Sequence, residues 1–275
     1  VNDANDTAGT ADAQEARHAA SKRRRPMTLW RLEWLRLFRT RRWIALAAVY
    51  LFFGLTGPPL ARYASELLRR FGSGNLQITV PPAIPADGIS NYIKNASQIG
   101  LVVVVVVAAG ALTFDARPEI GAFLRTRTDS IWRIVEPRFW VSAGAAAAAF
   151  VIGSLAAWYE TAVLIGGLSA TAMLAGIAFG ALYLAFAVAV VALAAAVTRG
   201  TLAVVMLSLA ILIALPIMGL VRGVGPWMPS ELVGALDALA RGGHASDYVR
   251  AACSTIVAGA AALWFAVRLA ARREL

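Results

Sequence analysis

The chain is poor in the residue types that build most catalytic and metal centres. Among 275 residues it has one cysteine, Cys253, and two histidines, His18 and His244. One thiol closes no disulfide within the chain, and one Cys with two distant His makes no plausible metal set. Neither histidine falls in an apolar run, so bis-histidine haem ligation is also excluded. Charge is scarce: 15% of residues are Asp, Glu, Lys or Arg, against about 25% in ordinary soluble domains. No GxxxxGK[ST] phosphate loop is present, so the chain does not bind ATP by that route. Its apolar runs carry no charge at their centres; Glu160 lies near an outer edge and Arg268 near an inner one. Ion-coupled carriers depend on such buried charges or on broken helices, which counts against a self-sufficient carrier. Ser142, Ser154, Ser208 and Thr255 lie within the runs without a histidine or carboxylate at similar depth, so no nucleophile–base pair is visible.

What the chain does have is hydrophobicity, 59% of residues, with a mean hydropathy of +0.65. A helix needs about 20 apolar residues to cross the hydrocarbon core. Six such runs are present, near 43–60, 97–114, 139–159, 172–197, 201–220 and 249–270. None alternates with period two, as barrel strands do, and even the β-branched stretch Leu101–Val107 is expected to be helical in lipid. The predicted class is an all-α membrane protein: six transmembrane helices, an N-terminal interfacial amphipathic helix and a cytoplasmic hairpin.

Charge orients it. With both termini inside, 19 of the 26 basic residues fall on the inner side and 7 on the outer, a positive-inside bias. The net charge of +10 then reflects topology and anionic lipid, with no nucleic-acid partner expected, since no aromatic-studded soluble domain accompanies Lys22–Arg25. The predicted location is a bacterial cytoplasmic (inner) membrane, multi-pass.

Along the chain, residues 1–26 have no apolar period and read as a disordered cytoplasmic tail without the pattern of a secretory signal; the ordered domain is 27–275. Residues 28–42 form an amphipathic helix whose Trp30, Trp34, Leu37 and Phe38 share a face, with Glu33, Arg36 and Arg39 elsewhere. Tryptophans flanked by arginines suit the inner leaflet. The first span is expected to end near Gly57-Pro58-Pro59, before an outer segment that begins with a helical stretch, Arg62–Phe71, and continues through an extended piece, Leu76–Val80, and the breakers Pro81, Pro82 and Pro85. Gly144 and Gly153 in the alanine-rich third span and the Gly176/Gly180 spacing in the fourth mark close helix contacts. In the outer helix–turn region 221–248, Ser230 is placed to cap a short helix, Glu231–Ala240. Its apolar side, Leu232, Leu236 and Leu239, is expected to dip into the outer membrane boundary.

Between the second and third spans, residues 115–138 form a basic, part-apolar hairpin: Arg117, Arg125, Arg127, Arg133 and Arg138 interleave with Ile120, Phe123, Leu124, Ile131 and Trp132. A simple turn would need only a few polar residues, so the hairpin is built to dock something at the membrane face.

Asp115-Ala-Arg117-Pro-Glu119-Ile-Gly121-Ala-Phe-Leu124, followed by Thr128-Asp-Ser130 and by Arg138 at the head of span three, resembles the segment after the second span in type-2 ABC exporter permeases. The order of elements from Thr28 to Leu275 is similar to theirs. The resemblance implies a permease subunit that pairs with a second permease, identical or paralogous, and with two ATP-binding subunits, ATP and Mg being held by those partners and no cofactor by this chain. It implies ATPase coupling through Glu119, Phe123, Arg125 and Arg127, although these arginines serve equally as positive-inside anchors. The implied substrate path lies between two permeases, with Trp43, Tyr50, Phe52 and Phe53 as its candidate aromatics, residues that otherwise face lipid. Without buried charge, an amphiphilic or apolar substrate such as a lipid or drug fits best, exported by a transporter subunit that is not itself an enzyme. The alternatives are a non-transporting membrane scaffold for a cytoplasmic partner and a secondary carrier.

Overall fold

The computed structural model describes residues 29–71, 83–113, 132–221 and 223–272. The tail, Lys22–Arg25 and the piece Leu76–Val80 lie outside them. All the described elements are helices: α1 (Leu29–Arg39), α2 (Arg42–Phe71), α3 (Pro85–Asn95), a π-turn (Ala96–Gly100), α4 (Leu101–Leu112), α5 (Trp132–Leu164), α6 (Ala170–Val197), α7 (Thr201–Gly219), α8 (Glu231–Ala240) and α9 (Val249–Arg272), with short 3-10 turns at Gly225–Trp227 and Ala245–Tyr248. Six stretches are long and apolar enough to cross a membrane: Arg42–Ala64, Pro85–Leu112, Val135–Leu164, Ala170–Val197, Thr201–Gly219 and Ala245–Arg272. Over the described residues the chain is all-helical, with the six apolar spans of a multi-pass membrane protein.

α6 is the centre. Of its most apolar stretch 67% is buried within the protein, against 17% for α7 and for the last span. Around it, α2 runs parallel to α5. There Gly153 lacks the side chain that would press on α2, a Cβ at that position falling 2.5 Å from the Tyr50 carbonyl oxygen. Gly54 answers from α2, its own missing Cβ lying against the Gly153 carbonyl. One Hα of each glycine therefore points at a carbonyl across the seam, the geometry of paired Cα–H···O contacts. Gly180 likewise receives the Phe150 ring, Gly176 receives Leu236 of α8, and Gly259 faces Phe186. Gly144 on α5, expected at a close contact, is instead on an open face, with nothing within 4 Å of its Cβ position.

Three further expectations are corrected. The first span does not stop at Pro58-Pro59; α2 passes through both and runs unbroken into the expected outer helical stretch, to Phe71. Close packing outweighs the lost N–H groups here, because Gly57 and Pro58 pack directly on α3, at Tyr92 and Gly88. Pro85 does not break the second span but opens it, at the first turn of α3, where a missing N–H costs nothing. The apolar side of α8 does not dip into lipid: Leu232, Leu236 and Leu239 are buried against the bundle, seated by Gly176. α8 itself occupies the expected Glu231–Ala240, although the Ser230 hydroxyl makes no cap hydrogen bond.

The two glycines of α5 give a matched test. Gly153→Ala forces the α2–α5 seam apart and should cost about 1–3 kcal/mol, lowering the melting temperature of the purified protein. Gly144→Ala, on open surface, should stay within about 0.5 kcal/mol of wild type.

Candidate functional site

Two clusters of polar groups stand out in a bundle otherwise held by small-residue packing. The first lies where α1 meets the head of α5. α1 ends at Arg39, and the chain turns through Thr40 and Arg41, whose φ of 55° places it in the left-handed region. The Thr40 hydroxyl donates to the Arg36 carbonyl at 2.8 Å and so caps the helix end. From this short helix Glu33 reaches inward, and its Oε1 accepts a 2.9 Å hydrogen bond from Nε of Arg138, both side chains being only 9% exposed. Arg36 lies 3.8 Å from the same oxygen. Nearby, the Arg42 guanidinium covers Gly110, where a Cβ would sit 3.0 Å from Nη1. That places a cation beside the C-terminal turn of α4, the end at which the helix dipole favours positive charge.

α1 thus has two faces. Glu33 and Leu37, one turn apart, are buried toward the protein, whereas Trp30, Trp34 and Phe38 stay exposed. Trp34 stacks on Phe38 with ring centroids 5.9 Å apart, and Trp43 meets Phe38 edge-on at 6.0 Å. Leu37 therefore leaves the expected Trp30/Trp34/Phe38 face. The signal for Glu33 was its i, i+4 spacing with Leu37, which puts a carboxylate in line with an apolar side chain. Its partner, 105 residues away, carried no such signal.

The second cluster is in the bundle core, where the rings of Tyr50 (α2), Tyr92 (α3) and Phe150 (α5) converge. Tyr50 stands edge-on to Phe150 at 5.7 Å, and Tyr92 stacks on Phe150 at 6.2 Å. The Tyr92 hydroxyl donates to the Phe150 carbonyl at 3.2 Å and accepts from the Ser154 hydroxyl at 3.1 Å. Tyr92 escaped the sequence reading because it belongs to no recognisable pattern, and Ser154 entered it only as a hydroxyl without a base. The Tyr50 hydroxyl, equally buried, has no hydrogen-bond partner among the described residues, an arrangement that costs about 1–3 kcal/mol for a phenol.

No family model, curated protein or solved structure matches the chain.

Of the expected path aromatics, the structure sends Tyr50 inward, leaves Trp43 and Phe52 exposed and half-buries Phe53, so the four do not share one cavity. The expected coupling residues Glu119, Phe123, Arg125 and Arg127 lie outside the described residues. The far end of that hairpin is described: α5 begins at Trp132, so the segment up to Arg138 is already helix and continuous with the span. At the opposite face, Arg241 closes α8 onto α3 by bonding Asp87 at 3.1 Å and Asp237 at 3.2 Å. Asp237 in particular holds the guanidinium above its ordinary pKa. Among the described residues no group of three or more His, Cys, Asp or Glu is placed to hold a metal ion.

Removing either partner of the α1–α5 pair breaks a buried, charge-assisted hydrogen bond. Glu33→Ala and Arg138→Ala should each cost about 1.5–3 kcal/mol, and the double variant should cost clearly less than their sum. Additive losses in thermal melts of the four proteins would show that the two groups do not act as a pair.

Proposed function

We propose that the chain is the transmembrane subunit of an ATP-driven ABC exporter, moving an amphiphilic or apolar substrate with energy from a separate ATPase. The observation that carries this reading is the buried Glu33–Arg138 pair. It fastens α1 to the head of α5, the helix that continues directly from the 115–138 hairpin. A partner pressing on the hairpin or on α1 would move both together, and the glycine seam would pass the displacement to α2.

Other features agree with the same reading. In a bilayer the exposed face of α1, Trp30-Trp34-Phe38 with Trp43, lies at the inner headgroup level, where amphipathic rings are favoured. α7 and α9 keep broad apolar surfaces uncovered by the rest of the chain. In the membrane these are met by lipid and by a second permease. Among the described residues the deep interior holds phenols and single hydroxyls and no mid-span charge, which suits an amphiphile better than an ion or a sugar. Glu119, Phe123, Arg125 and Arg127 take the role of ATPase contacts, both termini are cytoplasmic, and ATP and Mg are bound by the partner subunits.

Affinity purification of the tagged chain from its native membranes, with ATP hydrolysis assayed on the eluate, tests the proposal. A co-purifying ATPase with vanadate-sensitive turnover is expected. Glu119→Ala and Phe123→Asp should abolish that association, or the transport it drives, while the protein still inserts and purifies. A chain that purifies alone and inactive from membranes whose other complexes survive would overturn it in favour of a scaffold.

A further inference from the structure

Between Leu29 and Trp43 the chain carries five arginines, Arg31, Arg36, Arg39, Arg41 and Arg42, against one carboxylate, Glu33. That carboxylate is already engaged: it accepts from Arg138 at 2.9 Å and lies 3.8 Å from Arg36. Arg31, Arg39, Arg41 and Arg42 meet no carboxylate among the described residues. The Arg42 guanidinium is taken up over Gly110, beside the C-terminal turn of α4. Arg39 and Arg41 have no such seat. Both are exposed, on either side of Thr40, at the elbow between α1 and α2.

The surroundings define what these two cations meet. The first span begins at Arg42, so the elbow stands where hydrocarbon gives way to headgroups. Rings line it: Trp34 stacks on Phe38, Trp43 meets Phe38 edge-on, and all three are exposed. Beyond them an exposed apolar strip climbs α2 through Ile44, Leu51 and Leu55, at the i, i+7, i+11 spacing of one helix face. Cations at headgroup depth, rings at the boundary and an apolar strip beyond follow the order of phosphate, glycerol and acyl chain in a phospholipid. The planar fork of arginine suits phosphate oxygens. A cluster of basic residues on an amphipathic helix beside a span is also the pattern that recruits anionic lipid. With positive charge in excess over this segment, a lipid that brings its own cation, as phosphatidylcholine does, gains less than one of net negative charge.

We propose that the α1–α2 elbow is a binding site for an anionic phospholipid such as phosphatidylglycerol, its phosphate held by Arg39 and Arg41 and a chain along the Ile44–Leu55 face of α2. The inference goes beyond the exporter reading. The site belongs to two helices of this chain and its test involves no ATPase, so either can fail alone.

Native mass spectrometry of the full chain in a non-ionic detergent, titrated with phosphatidylglycerol or with phosphatidylcholine of the same chains, tests the site. Phosphatidylglycerol should bind first and more tightly. Each arginine facing an anionic lipid is worth about fivefold in binding, so Arg39→Gln with Arg41→Gln should weaken the first phosphatidylglycerol about thirtyfold. The pair Arg268→Gln with Arg272→Gln removes as much charge from the end of α9 and should leave that affinity unchanged. Equal losses in the two pairs, or no preference between the lipids, would overturn the proposal and leave the arginines as general positive anchors. Glycerophosphoglycerol, the same headgroup without chains, should not displace the lipid; displacement would mark a site for a free phosphodiester and overturn the lipid assignment. A phosphatidylglycerol bearing a diazirine in its chain gives a readout that needs no variant. Photolysis with the wild-type chain should label the Ile44–Leu55 peptide above all others, and labelling spread evenly over the spans would also overturn the proposal.

Discussion

The contact on which the bundle depends is the backbone approach of α2 to α5 at Gly54 and Gly153. In lipid there is little hydrophobic drive to bring helices together, so close van der Waals fit and weak Cα–H···O contacts must do so. Once these two helices touch at backbone distance, Tyr50 and Phe150, one turn before the glycines on each, are forced into ring contact. Tyr92 of α3 can then reach the Phe150–Ser154 turn of α5 with its hydroxyl. The tyrosine core is a consequence of that approach.

Most polar contacts between elements are placed where they define position. The Tyr92–Ser154 bond sets the rotation of α3 against α5. The Glu33–Arg138 bond fixes α1 on the head of α5. The Arg241–Asp87 bond fixes α8 on the start of α3, in an exposed setting where its worth is small and falls with salt. The core between them is richest in Ala, with Val and Leu next, residues that pack closely but specify orientation weakly, and the few hydrogen bonds supply that specification.

The spans were legible because the bilayer imposes a length and a polarity that each run must meet alone, whatever its neighbours. Leu101–Val107 is helical despite its β-branched residues for that reason. What failed were local rules that tertiary contact overrides. Pro58-Pro59 reads as a helix end until Gly57 and Pro58 are seen resting on α3. Leu232, Leu236 and Leu239 read as a lipid-facing side until Gly176 is seen to make a seat for α8. The candidate site was less legible still. Trp30, Trp34 and Phe38 do share an exposed face, but the group that anchors α1 is a carboxylate whose counterion enters from another part of the chain. The Tyr50 hydroxyl could not be identified as solitary before the surroundings of its ring were known.

The break at Thr40 and Arg41 has a mechanical consequence. α1 is joined to α2 by the chain, to α5 by charge, and α2 is joined to α5 by the glycine seam. Three members linked at three corners form a triangle, the simplest frame that cannot shear. Its corners differ in kind: a peptide elbow that can bend, an ion pair that can part, and a backbone contact that can only slide. A torque on α1 therefore cannot dissipate in the elbow alone. It must strain the ion pair, slide the glycine seam or turn α2 and α5 together as one body.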